Sequence, residues 1–174
     1  MARQVRDARP WALLIAVLVI AADRLSKLWV AAHVPIGSGI VVIPRVFRIS
    51  HVLNTGAAFS LFEGARSPGT VRWMLIGFSI FAAVVVIALL VTTGKRWSLQ
   101  TLAFALILGG AVGNLYDRLR LKHVIDFLEV HIGTYHWPDF NVADSCIVIG
   151  ACLLLLETLR PQTNTETRKT ELPA

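Results

Sequence analysis

Residues 71–93 read VRWMLIGFSIFAAVVVIALLVTT, with no charged side chain after Arg72. At about 1.5 Å per residue, such a run is long enough to cross a hydrocarbon layer of about 30 Å. Lipid offers no hydrogen-bonding partner to a bare backbone, so the run must be helical. The rest of the chain agrees: 55% of its 174 residues are hydrophobic, 16% are charged, and mean hydropathy is +0.64. A soluble domain carries nearer 25% charge, so these values exclude a disordered chain, a disulfide scaffold and a coiled coil. An integral membrane protein remains.

Three more apolar runs lie on either side. One spans about 11–34 and is interrupted by Asp23, Arg24 and Lys27; another spans 99–116 behind Ser98; the last spans 142–159 behind Asn141. The reading is one membrane domain over residues 1–160, mainly α, with four transmembrane helices and a polar tail at 161–174. The first run resembles a signal peptide in its basic start and Ala31-Ala32 end, but the three runs after it favour a span. Arg3, Arg6, Arg9, Lys95, Arg96, Arg160, Arg168 and Lys169 fall on one side of such a bundle, and the other side is sparser in cations for its length. Both termini are therefore expected in the cytoplasm. The net charge of +6 includes no basic run longer than two residues, so nucleic acid is not an expected partner. Cys146 and Cys152 point about 120° apart on one helix and cannot bridge each other there.

Residues 34–70 are too long for a plain connection. Gly37-Ser38-Gly39 reads as a turn, residues 46–49 alternate as a short strand, and residues 57–62 suit the membrane surface.

Ionisable groups at membrane depth cost several kcal/mol unless paired or wet, so each is a functional candidate. Asp23 and Lys27, four apart on one helix, can neutralise each other. Glu157 can pair with Arg160 near the inner boundary. Asp144, three residues after Asn141, suits either helix capping or a carboxylate that ionises in a dry site. Asp126 lies in Val124–Val130, which alternates like a strand and puts it on an apolar face where its pKa should rise. A plain carboxylate at the membrane edge is the other reading. Asp117 and Arg118 end the third span as an adjacent acid and base, and Arg118 equally suits lipid phosphate. Asp139, Glu129 and Glu63 read as surface groups.

Asp126 and Asp144 bracket one outer segment. Two carboxylates in hydrogen-bond reach share a proton, and one then serves as base toward water while the other polarises a carbonyl. No GxSxG, HExxH, Walker A or CxxC motif occurs, and the five histidines show no helix-face pair. No metal and no cofactor are therefore expected. Gly109 and Gly113 form a GxxxG spacing that fits close helix packing. A proton-coupled carrier and a non-catalytic four-helix partner protein are the rival classes.

Four blocks occur in order: Asn54-Thr55-Gly56-Ala57-Ala58-Phe59-Ser60, then Gly109 through Arg118, then Val124-Ile125-Asp126-Phe127, then Phe140-Asn141-Val142-Ala143-Asp144-Ser145. With the four runs they resemble the lipoprotein signal peptidases, or signal peptidases II, over about residues 11–159. The resemblance implies an aspartic endopeptidase of the bacterial cytoplasmic (inner) membrane with its active site toward the outer face. Its substrates would be diacylglyceryl-modified prolipoproteins, cut just before the lipidated cysteine, with globomycin-type compounds as inhibitors. By position it implies Asp126 and Asp144 as the catalytic pair. Asn54, Asn114, Arg118 and Asn141 would support the pair and substrate, Asp23 and Lys27 would be polar positions of the first helix, and Gly56 and Ala143 would line the cleft. It also implies a small extracytoplasmic β-sheet, a short surface helix, contact with membrane lipid and a monomeric form.

Overall fold

The computed structural model describes residues 7–56 and 68–160. The run at 71–93 lies in helix α2 (Pro68–Thr93). Helices α1 (Arg9–His33), α3 (Leu99–Arg120) and α4 (Val142–Thr158) account for the other three apolar runs. Among the described residues two helices, Gly69–Thr93 and Leu99–Arg120, are long and apolar enough to cross a membrane. The charged α1 and the 17-residue α4 do not meet that test, so the count of four spans is not met by composition alone.

Helix α3 packs against all three other helices. Small side chains let it do so: Ala12 and Ala16 of α1, Ala83 and Val86 of α2, and Ala105 and Leu108 of α3 share one core with Phe104. A Cβ on Gly109 would stand 2.7 Å from the Val19 Cβ of α1, and one on Gly150 of α4 would stand 2.6 Å from Ile107. The GxxxG spacing thus serves close helix approach, as its reading held. The outer faces are apolar: Trp73, Met74, Phe78 and Phe81 of α2 and Leu14, Leu18 and Leu25 of α1 are exposed. Charged Asp23 and Lys27 point inward instead.

Four antiparallel strands, β1 (Gly39–Ile43), β2 (Phe47–Asn54), β3 (Val124–Ile132) and β4 (Tyr135–Phe140), pair in the order β1-β2-β3-β4. Val30 and Val34 of α1 pack with Ile125 and Phe127 of β3, which seats the sheet on the end of the bundle. The expected turn at 37–39 is instead Pro35–Ser38, closed by Ser38 N–H to Pro35 O, and Gly39 already starts β1. The expected strand at 46–49 continues to Asn54, because β3 gives its whole length a partner. The surface segment expected at 57–62, and Glu63, lie outside the described residues.

Two acids differ from their surface reading. Glu129 is buried and bound to Arg48 and His131, and Asp139 is partly buried beside His136. A bulge explains both: between Leu128↔Phe140 and Val130↔Trp137, Glu129 alone opposes Pro138 and Asp139, which turns the acids onto the sheet's shared face. Glu157 and Arg160 pair at 3.2 Å, as their spacing implied.

Candidate active site

The buried stripe of α1 runs Ala12, Ala16, Val19, Asp23, Lys27, Val30, a helical repeat in which two core positions are charged. The Lys27 ammonium is fully buried. It lies 2.8 Å from Asp23 Oδ2, 2.8 Å from Asp117 Oδ2 of α3, and donates to Asn114 Oδ1 at 3.1 Å. The pair expected within α1 is therefore one side of a larger network. Asp23 Oδ1 accepts the backbone N–H of Ala143 at 3.0 Å, tying α1 to the first turn of α4. A Cβ on Gly113 would come within 2.9 Å of Asp23 Oδ2, so only glycine leaves the carboxylate room.

Asn141 caps α4. Its Oδ1 accepts the Asp144 N–H at 3.0 Å, and Asp144 Oδ2 accepts the Asn141 N–H at 3.3 Å. The capping reading of Asp144 is correct, and it leaves Oδ1 available to a second donor. That donor is Asn114 Nδ2, at 2.7 Å. Asp126, on β3, accepts from Asn54 Nδ2 at 2.8 Å and from Asn141 Nδ2 at 2.7 Å. No hydrogen bond joins the two carboxylates among the described residues; Asn141 bridges them.

The orientation of each amide is fixed by chemistry. The carbonyl of Asn54 accepts the Gly56 N–H at 2.8 Å, that of Asn141 accepts the Asp144 N–H, and that of Asn114 accepts from Lys27. A backbone N–H and an ammonium can only donate, so all three amides must turn their NH₂ groups toward an aspartate. Each carboxylate oxygen thus receives one donor and keeps a lone pair free for substrate or water.

Burial, joined by the charge of Asp144, pushes Asp126 from 3.8 up to about 7, against the pull of its Asn54 and Asn141 hydrogen bonds. The rise expected on an apolar face occurs, although the face itself is lined by asparagines. Coupled acids titrate as a unit, so the pair still holds a proton near neutrality.

The network brings together Asp126, Asp144, Asn54, Asn114, Asn141, Asp23 and Lys27. Gly56 and Ala143 join through backbone N–H groups, and Ala143 is fully buried between helices. Arg118 makes no hydrogen bond to either carboxylate; its Nη1 donates to Asn114 O at 3.3 Å, and it interacts with Asp144 and Asp126 through charge alone. Asp117, not assigned to the site from sequence, is the second partner of Lys27, and Arg24 stands 3.5 Å from its other oxygen. Its position three residues after Asn114, on the same helical face, was the available signal.

A family model described as signal peptidase (SPase) II matches residues 15–160. The chain belongs to the signal peptidase II family. A lipoprotein signal peptidase of Paraburkholderia phymatum is 46% identical over 151 residues, covering 87% of this chain and 88% of that one. One of Pseudomonas aeruginosa is 44% identical over 160 residues, covering 90% and 92%. A solved bacterial membrane enzyme superposes with a TM-score of 0.81 at 26% identity, over 92% of this chain and 99% of its own. Another gives 0.78 at 27%, over 95% of each. Membership makes the chain a membrane peptidase of the aspartic class, and the signal peptidase II match spans every side chain of the network.

Proposed function

We propose that Asp126 and Asp144 are the catalytic pair of an endopeptidase that removes the signal peptide of diacylglyceryl-modified prolipoproteins, cutting just before the lipidated cysteine. The observation that carries this reading is the set of three pinned asparagines, which aim their NH₂ groups at two carboxylates, Asp126 buried and Asp144 half-buried. The ionised carboxylate takes a proton from water as its oxygen attacks the scissile carbonyl, while the protonated partner donates to the carbonyl oxygen. Collapse of the tetrahedral intermediate passes a proton to the leaving nitrogen and restores the pair. No metal, cofactor or covalent intermediate enters the reaction.

Asn54, Asn114 and Asn141 hold the pair, Asp23 and Lys27 hold Asn114 and the start of α4, and Gly56 keeps Asn54 turned. Arg118 adds positive charge where the tetrahedral oxyanion forms, and Ala143 keeps the wall small. All four helices span the membrane, with both termini cytoplasmic, the pair at the outer face and the sheet outside. The apolar outer faces of α1 and α2 suit lipid. Substrate acyl chains stay in the bilayer, which avoids about 0.8 kcal/mol for each CH₂ extracted. Globomycin-type inhibitors occupy the same cleft of a monomeric enzyme.

The test is cleavage of a diacylglyceryl-modified prolipoprotein by the purified enzyme and by Asp126→Asn and Asp144→Asn. Cleavage by the parent and its loss in both variants supports the assignment. Undiminished cleavage by either variant removes that residue from the chemistry, and an inactive parent revives the carrier and partner-protein readings.

A further inference from the structure

Away from the pair, the far end of the β3–β4 hairpin gathers four metal-ligating side chains that the hydrolysis does not use. Ile132 and Tyr135 pair across a two-residue turn whose first residue, Gly133, has φ +64°, the arrangement that fixes a tight hairpin register. In that register His131 and His136 stand directly opposite each other and share a face. Glu129, two residues before His131, lies on the same face. The bulge at Glu129 then turns Asp139 toward His136.

The distances suit coordination. Glu129 Oε1 is 2.8 Å from His131 Nε2 and 3.8 Å from His136 Nε2, and the three donor atoms lie within 4.8 Å of one another. Tetrahedral zinc with bonds of about 2.0–2.1 Å needs donors roughly 3.3 Å apart, so side-chain rotations that close the widest pair by up to about 1.5 Å are sufficient. Arg48 Nη1 donates to both oxygens of Glu129, at 3.2 Å to Oε2 and 3.4 Å to Oε1, which fixes the carboxylate with Oε1 beside the histidines. Asp139 Oδ1, buried and without a hydrogen bond of good geometry, is 3.4 Å from His136 Nε2. Two imidazoles with carboxylate oxygens favour zinc, copper or nickel over magnesium or calcium.

We propose that Glu129, His131 and His136, with Asp139 or water completing the sphere, bind a divalent transition-metal ion of the zinc class on the sheet. The site is separate from the peptidase chemistry and would staple the hairpin that runs from Asp126 to Asn141.

The experiment is calorimetric titration of the untagged, full-length chain in detergent with Zn²⁺, and the same for His136→Ala and Glu129→Gln. His136 is half exposed, so its replacement leaves the fold intact. The expected result is one Zn²⁺ per chain, with affinity at least about tenfold weaker in each variant and no response to Mg²⁺. Absence of saturable Zn²⁺ binding up to about 100 µM overturns the proposal. So does binding that both variants retain unchanged, which would place the ion elsewhere, at Cys146 or Cys152 for example.

Discussion

Replacing Lys27 with methionine keeps an unbranched side chain as far as Cε and removes its ammonium. Breaking a buried ion pair by deleting one partner costs about 3–5 kcal/mol, because the remaining charge stays desolvated. Here two acids are stranded, but Asp23 keeps the Ala143 N–H and Asp117 keeps Arg24 at 3.5 Å. The lower end, about 3 kcal/mol, is therefore expected, which for a chain of this size lowers the melting temperature by roughly 6–12 °C. The rate should suffer separately. Lys27 is the shorter of two donors on Asn114 Oδ1, the other being Asn141 Nδ2 at 3.3 Å, so without it the amide that donates to Asp144 is held less firmly. Loss of one hydrogen bond to a charged group is worth about 1.5–3 kcal/mol, or roughly 10–100-fold in kcat. Thermal unfolding in detergent and cleavage kinetics at a temperature where the variant is folded separate the two effects. An unchanged melting temperature would refute the ion network, and an unchanged kcat in a destabilised variant would refute the orienting role.

Other perturbations have equally definite directions. Cleavage should fall as pH rises through about 7, where the pair loses its shared proton; Asn54→Leu removes a hydrogen bond that favours the ionised Asp126, so it should move that alkaline limb to higher pH in a pH–rate profile. Because folding raises the Asp126 pKa, the native state holds a proton that the unfolded chain has released. Asp126 therefore lowers stability progressively between about pH 4 and about 7 and not further above it, which chemical unfolding across that window can follow. Arg118→Gln removes the charge that reaches both aspartates and should slow cleavage about tenfold, while Arg120→Gln changes it by less than twofold; equal rates would remove Arg118 from the site. Gly110→Ala places a Cβ against the Ala143 carbonyl of α4, and an overpacking cost of about 1–3 kcal/mol should appear as a lower melting temperature.

The helices were legible because apolar runs of this length allow one backbone solution in lipid, and Asp126 and Asp144 were legible because burying a carboxylate demands a reason. The strand at 124–130 showed itself by alternation, yet β1 and β4 did not. Val41, Val42 and Ile43 are all exposed, and β4 breaks its alternation at Pro138-Asp139 where the bulge falls. Glu129 looked like a surface acid for the same reason: its partners, Arg48 and His136, come from strands whose register no local pattern specifies. The triple contact of Lys27 was half visible, since spacing shows Asp23 but cannot show a helix 87 residues away. The pinned amides needed coordinates entirely, because the direction of each depends on which donor meets its oxygen.

Asp144 caps a helix and belongs to the pair; Asp126 belongs to the pair and strains the fold. The two aspartates would therefore part company in any descendant released from the need to cut peptides. Drift would discard Asp126 early, since losing it relieves a penalty, whereas Asp144 would persist on its structural merit. A relative with the second aspartate and without the first would read as a retired enzyme, and the reverse pattern should be scarce.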